Sequence, residues 1–337
     1  MFGLTLNALI IALGCAPAPP PGEHVDIAGE HALIVWDAAT KTEHFIRRAD
    51  FRTESKAFGF LVPTPTRPTL AEVPDAVFER LARAIEPELV EGTRWDFRWS
   101  LFTLFTLGSQ LKSAAPKVEV LHRQRVAGYD AVILSAKDAG ALANWLRSRG
   151  FASRPALEAW LQPYVDQGWI LTAFKVAQTP SPQDETGFGT SAVRMSFTAE
   201  RPFYPYREPA DQRDPQRVGL DRSLAVWLVA AGSWQGALPT GPWPAELLYR
   251  APVQDLSTLL GDAVDFRPTD GWLHAWIDHS SPRPGTDDLF FSSTKAPEYR
   301  PTYVSYDTQM VPIPLDLIAV LGLCVFGVRR WRRRSNG

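Results

Sequence analysis

Residues 118–177 read VEVLHRQRVAGYDAVILSAKDAGALANWLRSRGFASRPALEAWLQPYVDQGWILTAFKVA, and this stretch decides the fold. Its first part has the composition of a β-hairpin, with a turn near Ala127-Gly128. Two helix patterns follow, and glycines close them at Gly150 and Gly168. The stretch then ends in an apolar strand. The order of these signals predicts a β-β-α-α-β block.

Each of the two helix patterns has one apolar face at helical spacing. The first face consists of Ala139, Leu142, Ala143 and Leu146, and the second of Leu157, Trp160, Leu161, Tyr164 and Val165. Since such a face must be buried, the two helices are expected to form a hairpin that packs on the neighbouring strands.

Short strands predominate outside this block. The runs typical of strands are HALIVWD (31–37), SAVRMSF (191–197), SLAVWLVA (223–230), GWLHAWIDH (271–279) and LFFSS (289–293). SLAVWLVA is apolar at every position after its first, so it is expected to be buried on both faces. Because strands occur in runs and helices are clustered, the sequence predicts an α+β fold with mainly antiparallel sheets.

The amino terminus has the features of an export signal. Residues 1–14 carry no charged side chain and contain an apolar run followed by small residues, which is typical of a signal peptide. ALGC resembles a lipobox and makes Cys15 a candidate for lipidation. The proline-rich residues 15–27 would then be a tether. A buried N-terminal helix and an uncleaved anchor are the alternatives.

The carboxyl terminus has the features of a membrane anchor. After an expected linker at 296–310, residues 311–328 are apolar enough to predict a transmembrane helix. Five arginines within residues 329–337 indicate a cytoplasmic tail, following the positive-inside rule. The alternatives are a buried helix of a soluble protein and a sorting signal that is removed during processing.

The net charge of −2 hides an uneven distribution. Without the five C-terminal arginines, 30 basic residues face 37 acidic ones, a net charge of −7 for the rest of the chain. An acidic body argues against nucleic-acid binding. Cys15 and Cys324 are the only cysteines, so the body between them can form neither a disulfide nor a zinc site with thiolate ligands.

The sequence contains no standard catalytic or metal-binding motif, and we expect no metal and no cofactor. One segment nevertheless holds candidate site residues. On a strand, Trp272, His274, Trp276 and Asp278 of GWLHAWIDH share one face. The tryptophans are candidates for binding a sugar ring, and His274 and Asp278 are candidates for catalysis. The alternative is a solvent-facing strand with aromatic cross-strand pairs.

The chain resembles a bacterial family known only as domain of unknown function 2330. The resemblance is carried by HALIVWD, by EHFIRRADF leading into FGFLVPTPTRPTLAEVPDAVFERL, by the 118–177 stretch, by SAVRMSFTAERPFYPYREP and by SSPRPGTDDLFF. It implies export and a C-terminal membrane segment, and it implies no known activity. Many members carry cysteines in the body, whereas this chain has none.

These observations predict a membrane-anchored, single-pass protein whose α+β body, residues 28–295, lies outside the cytoplasm. A break into two subdomains is expected near 178–190. The predicted function is binding or scaffolding in the cell envelope, with the membrane and an envelope protein or glycan as partners. The alternatives are an envelope hydrolase or glycan-binding enzyme that uses the His274 face, and a sensor or transporter subunit.

Overall fold

The computed structural model describes residues 16–18, 26–52, 57–100, 129–135, 138–150, 154–177, 188–189, 191–213, 222–314, 321–323 and 325–331. The chain divides into two compact units. The first comprises Met1–Glu86 and Arg125–Pro301, and the second comprises Pro87–Gln124 and Thr302–Gly337. The predicted break near 178–190 stays a prediction, because residues 178–187 and 190 lie outside the described part.

The described residues form many short strands and few helices. The strands are β1 Ala16–Ala18, β2 Asp26–Asp37, β3 Thr42–Arg52, β4 Ala57–Thr64, β5 Thr69–Val73, β6 Glu88–Ser100, β7 Tyr129–Ser135, β8 Ile170–Ala177, β9 Phe188–Gly189, β10 Ala192–Thr198, β11 Phe203–Tyr204, β12 Ser223–Ala231, β13 Trp234–Ala237, β14 Glu246–Pro252, β15 Gly271–Asp278, β16 Leu289–Ser293 and β17 Thr302–Pro314. The helices are α1 Ala76–Ala84, α2 Ala139–Ser148, α3 Pro155–Asp166 and α4 Leu256–Leu260, with 3₁₀ turns at Ala210–Gln212 and Gly261–Ala263. The predicted α+β class is confirmed.

The largest sheet of the first unit, here called the central sheet, has the strand order β14-β15-β12-β2-β3-β10-β5, and β9 pairs with β3. All of these pairs are antiparallel except β12 with β2. Strand β12 contains SLAVWLVA and lies between β2 and β15. Its residues from Leu224 to Ala230 are all buried, as the apolar sequence predicts.

A second sheet, here called the small sheet, has the order β1-β4-β8-β7, and all its pairs are antiparallel. Helices α2 and α3 pack on it, and the buried residues of both helices are those predicted from the 118–177 stretch. The side chain of Asp138 caps α2 by accepting hydrogen bonds from the N–H groups of Gly140 and Ala141. The predicted first strand of the hairpin, before Tyr129, lies outside the described residues.

Alternation along the strands divides the first unit into layers. In β2, Ala32, Ile34 and Trp36 face the small sheet, whereas Leu33 and Val35 face α1 and α4. In β4, Phe60 faces the central sheet and Leu61 faces α2 and α3. The layers are therefore helices, central sheet, small sheet and helices. A third sheet, β11-β16-β13, contributes Phe203 and Phe291 to the core between the two larger sheets.

The second unit contains two long strands, β6 and β17, which pair in parallel over 13 residues each. The expected linker at 296–310 is therefore largely strand. The expected helix over 311–328 begins too early, because Val311–Pro314 belong to β17 and prolines disfavour a helix interior. Residues 321–323 and 325–331 are helical. Among the described residues, no helix has the length and apolarity needed to cross a membrane.

Candidate functional site

The predicted site residues lie on β15, and the structure places Trp272, His274, Trp276 and Asp278 on one face, as alternation requires. The alternative drawn from the sequence is a strand without a site, with this face toward solvent. The solvent-facing part of that alternative is wrong, because His274, Trp276 and Asp278 are buried. The face lies against the core between the sheets, where Trp243 and Phe291 contact Trp276. Strand β15 is covered because α4 and the third sheet pack on its two sides.

His274 is held by backbone groups on both ring nitrogens. The N–H of Trp234 donates to Nε2 over 2.9 Å, so Nε2 carries no proton. The proton of the neutral ring is then on Nδ1, which donates to the carbonyl of Leu228 over 3.1 Å. The ring stacks between those of Trp272 and Trp276. Burial lowers the pKa of His274 to about 4, which keeps the ring neutral near pH 7.

Asp278 is the most extensively hydrogen-bonded of the predicted site residues. Tyr206 donates its hydroxyl to Oδ2 over 2.7 Å, and Trp243 donates its indole N–H to the same oxygen over 3.3 Å. Ser280 donates its N–H over 2.8 Å and its hydroxyl over 2.5 Å to Oδ1. Both carboxylate oxygens are therefore satisfied within the protein. A catalytic role of His274 and Asp278 stays a prediction. The hydrogen bonds of both side chains link β15 to neighbouring segments.

Asp278 also belongs to a group of buried ions, and it is the one member that the sequence patterns indicate. We call this group the buried charge cluster, and its members are Glu30, Arg47, Glu208, Arg222, Asp278 and Arg283. Three carboxylates and three guanidinium groups give it no net charge. Charges of both signs are thus buried together, as the cost of removing ions from water requires.

Two short ion pairs anchor the cluster. Arg47 donates from Nε to Glu30 over 2.6 Å, and Arg222 donates from Nη2 to Glu208 over 2.6 Å. Arg283 lies between acidic groups, with Nη1 3.8 Å from Glu208 Oε1 and Nε 3.7 Å from Asp278 Oδ2. The cluster therefore connects β2, β3 and β15 with the segments around residues 208, 222 and 283.

The pKa values of the cluster show how strongly its charges depend on one another. Burial raises the pKa of Glu30, but the charges of Arg47 and Arg283 outweigh burial and bring it below its ordinary value. Burial likewise opposes ionisation of Asp278, and Arg283 reverses the effect, so that the pKa of Asp278 is lowered. For Arg283, burial acts against the charge, whereas Glu208 and other acidic neighbours raise its pKa above the ordinary value. Both acids and the arginine are ionised at neutral pH.

A turn beyond β15 holds Asp287 and Asp288. Asp288 is buried and accepts hydrogen bonds from the hydroxyl of Tyr164 over 2.8 Å and from the N–H of Arg207 over 3.3 Å. Burial raises its pKa to about 6. Asp287 pairs with Arg207 over 3.6 Å instead of joining Asp288. Within the described ranges, no group of three or more His, Cys, Asp or Glu side chains is placed to share a metal ion.

Glu43 is a buried acid outside the cluster. It lies on β3 and accepts a hydrogen bond from the N–H of Phe203 over 2.9 Å. Burial raises the pKa of Glu43 well above its ordinary value of 4.5. The folded chain therefore keeps a proton that the unfolded chain releases, so stability falls as the pH rises above about 4.5, until the folded group also ionises.

We expect Glu43→Gln to increase the free energy of unfolding at pH 7 and to leave it nearly unchanged at pH 4. The amide still accepts the hydrogen bond from Phe203 and has no proton to lose. Urea unfolding at the two pH values measures the effect, with the exposed Glu72→Gln as the matched control. A variant that is less stable than the wild type at pH 7 would show that Glu43 is ionised in the folded chain.

A cavity of about 190 Å³ lies on the α2 side of the small sheet. Leu61, Ala173 and Lys175 line it from the sheet, together with Val132 of β7, and Trp145, Leu146 and Arg149 line it from the end of α2. The walls are mainly apolar, and Arg149 and Lys175 are its charged residues. The guanidinium carbon of Arg149 lies 4.9 Å from the centre of the Trp145 ring. This arrangement joins an apolar interior to a cationic edge.

A family model described as an uncharacterized protein conserved in bacteria (DUF2330) matches residues 11–226, well over half of the chain. The chain belongs to the DUF2330 family. The resemblance drawn from the sequence is thereby confirmed as far as residue 226, and the family's description assigns no activity.

The DUF2330 range contains only part of the features described above. The described residues that line the cavity lie within it, as do Glu30, Arg47, Glu208 and Arg222 of the buried charge cluster. His274, Asp278 and Arg283 lie beyond it. The candidate residue Cys15 lies inside the range but outside the described residues, so its lipidation stays a prediction.

Other comparisons add little to the DUF2330 assignment. No curated protein matches the chain. Among solved structures, the crystal structure of baculovirus P35 is similar, with 8% sequence identity and a TM-score of 0.38. The match covers 80% of this chain and 91% of that chain.

The sequence patterns missed five of the six members of the buried charge cluster. Alternation offers a signal for two of them, because Glu30 shares its face of β2 with Ala32 and Ile34, and Arg47 shares its face of β3 with Phe45. A charge at an apolar position of a strand indicates a buried partner. Arg283 lies in a turn, where no pattern distinguishes a buried arginine from an exposed one.

Proposed function

We propose that this protein is a binding protein of the bacterial cell envelope, anchored by a C-terminal transmembrane helix, with its acidic body outside the cytoplasm. Its partners would be the membrane and an envelope protein or glycan. The proposal takes the N-terminal residues as an export signal and the arginine-rich C-terminal residues as a cytoplasmic tail.

The parallel pairing of β6 with β17 carries this proposal. Ser100 lies opposite Pro314, and parallel strands end at the same edge. The sequence continues from Ser100 into LFTLFTLG and from Pro314 into LDLIAVLGLCVFGV. The two strand ends, Ser100 and Pro314, therefore lie side by side, and each is followed in the sequence by an apolar run. Because apolar sequence follows both strand ends, we take this end of the paired strands as the one that faces the membrane.

The surface of the two paired strands agrees with a position near a membrane. Trp95, Tyr303 and Tyr306 are 56%, 63% and 59% exposed. Tryptophan and tyrosine concentrate where membrane and water meet, because their rings are apolar and their N–H and O–H groups reach water. A pair of strands alone is marginally stable in water, so contact with a membrane surface would also stabilise the β6–β17 pair.

Binding fits the first unit better than catalysis does. Both ring nitrogens of His274 and both oxygens of Asp278 are engaged by groups of the protein itself. A general base needs a nitrogen or oxygen that can reach the substrate. We therefore place no reaction on these residues, and the cavity beside α2 is the binding site that the geometry favours.

Cysteine labelling tests the topology, because residues 16–323 contain no cysteine. We expect Lys295→Cys, at an exposed position, to react with a membrane-impermeant maleimide on spheroplasts, and Ser335→Cys to react only after lysis. The unsubstituted chain measures the background from Cys15 and Cys324. Labelling of Ser335→Cys before lysis would reverse the orientation, and labelling of both variants only after lysis would place the body in the cytoplasm.

A further inference from the structure

We propose that the cavity between the small sheet and α2 binds a small aromatic carboxylate, about one ring in size and with one negative charge. The proposal rests on the proposed function only in treating the first unit as a binding module. All the residues that it uses belong to described parts of β4, β7, β8 and α2.

The size of the cavity limits the ligand. An engineered apolar cavity of about 150 Å³ holds a benzene molecule. At about 190 Å³, this cavity has room for one ring and a short substituent. A sugar chain or a long acyl chain would extend far outside it. Size therefore favours a compact ring compound.

The walls favour an aromatic body for the ligand. Leu61, Val132 and Leu146 supply aliphatic surface, and the ring of Trp145 supplies an aromatic one. Val132 is 38% exposed, so apolar surface is accessible at the edge of the small sheet. A ring that covered Val132 and packed against Trp145 would remove apolar area from water and gain the edge or offset contacts that aromatic pairs prefer.

The charges favour an anion. Arg149 and Lys175 belong to the lining, and among the described residues no acidic one does. Of the two, Arg149 is the cation that we assign to the ligand's carboxylate. Arg149 ends α2, is exposed and extends over Trp145, next to the apolar walls. The planar guanidinium group can donate two parallel hydrogen bonds to a carboxylate.

Fluorine NMR with 4-fluorobenzoate tests the proposal on the full chain in phosphatidylcholine nanodiscs. We expect the wild type to broaden the 4-fluorobenzoate signal and to bind the neutral 4-fluorobenzamide up to about fivefold more weakly, the upper end of the range for one exposed ion pair. Arg149→Gln should weaken 4-fluorobenzoate binding by the same factor and leave 4-fluorobenzamide binding unchanged. Val132→Trp, which fills the cavity from its edge, should abolish binding of both compounds.

Arg147→Gln is the matched control, because Arg147 lies in the last turn of α2 and does not line the cavity. It should bind 4-fluorobenzoate as the wild type does. The proposal is overturned if the wild type does not bind 4-fluorobenzoate, if both compounds bind equally, or if Arg147→Gln weakens binding as much as Arg149→Gln. Because the chain is purified, a wrong topology would leave these results unchanged, so the two proposals fail independently.

Discussion

Replacing Arg283 with methionine should lower the free energy of unfolding by about 3–5 kcal/mol, the cost of leaving a buried ion without its partner. Arg283 is 2% exposed and lies 3.8 Å from Glu208 and 3.7 Å from Asp278. Methionine keeps the unbranched stem of arginine and lacks the guanidinium group, so it removes the positive charge and leaves the space of that group unfilled. The carboxylate of Asp278 would then be buried with only neutral donors around it. Urea unfolding followed by tryptophan fluorescence measures the change.

Two further variants separate charge from packing at this position. Arg67→Met, at an exposed position, should change the free energy of unfolding by less than about 0.5 kcal/mol. Adding Asp278→Asn to Arg283→Met should recover part of the loss, because the double variant no longer buries this unpaired charge. If Arg283→Met is as stable as the wild type, the cluster does not depend on its central arginine. If the double variant recovers nothing, the loss comes from packing or from Glu208, the other acid beside Arg283.

Helices α2 and α3 could be predicted almost residue by residue. The faces of α2 and α3 contain the residues that the sequence indicates, because a helix face is set by spacing within about ten residues. The burial of β12 could also be predicted, since an uninterrupted apolar run has no side to expose to water.

Contacts between distant segments could not be predicted in this way. Arg283 meets Glu208 and Asp278 only because the turn after β15 folds back against residues 203–208, and strand alternation says nothing about which segment lies opposite. The pairing of β6 with β17 joins segments about 200 residues apart. The same limit applies to His274. Its shared face with Asp278 follows from alternation, but its backbone partners on β12 and at Trp234 do not.

His274→Phe should lower the free energy of unfolding at pH 7 by about 2–6 kcal/mol, because each of its two backbone partners costs about 1–3 kcal/mol when it is left without a partner. Phenylalanine can keep the stack between Trp272 and Trp276, but it cannot accept from the N–H of Trp234 or donate to the carbonyl of Leu228. The substitution therefore tests the hydrogen bonds and largely preserves the ring contacts. Urea unfolding at pH 7 measures it.

The pH dependence gives this prediction a second and more specific readout. The pKa of His274 falls from 6.5 to about 4 on folding, so the unfolded chain takes up a proton in this range before the folded chain does. The stability that comes from the neutral ring is complete above pH 6.5 and is lost as the pH falls to about 4, an effect of about 3 kcal/mol. The difference in the free energy of unfolding between wild type and His274→Phe should therefore become smaller as the pH falls from 6.5 to about 4. Buried acids such as Glu43 and Asp288 titrate in both proteins. Subtracting the free energy of unfolding of His274→Phe from that of the wild type at each pH therefore leaves the contribution of the histidine. The exposed His279→Phe is the matched control for replacing a histidine ring with phenylalanine. If the difference between wild type and His274→Phe stayed constant with pH, the ring of His274 would be protonated equally in the folded and unfolded chains.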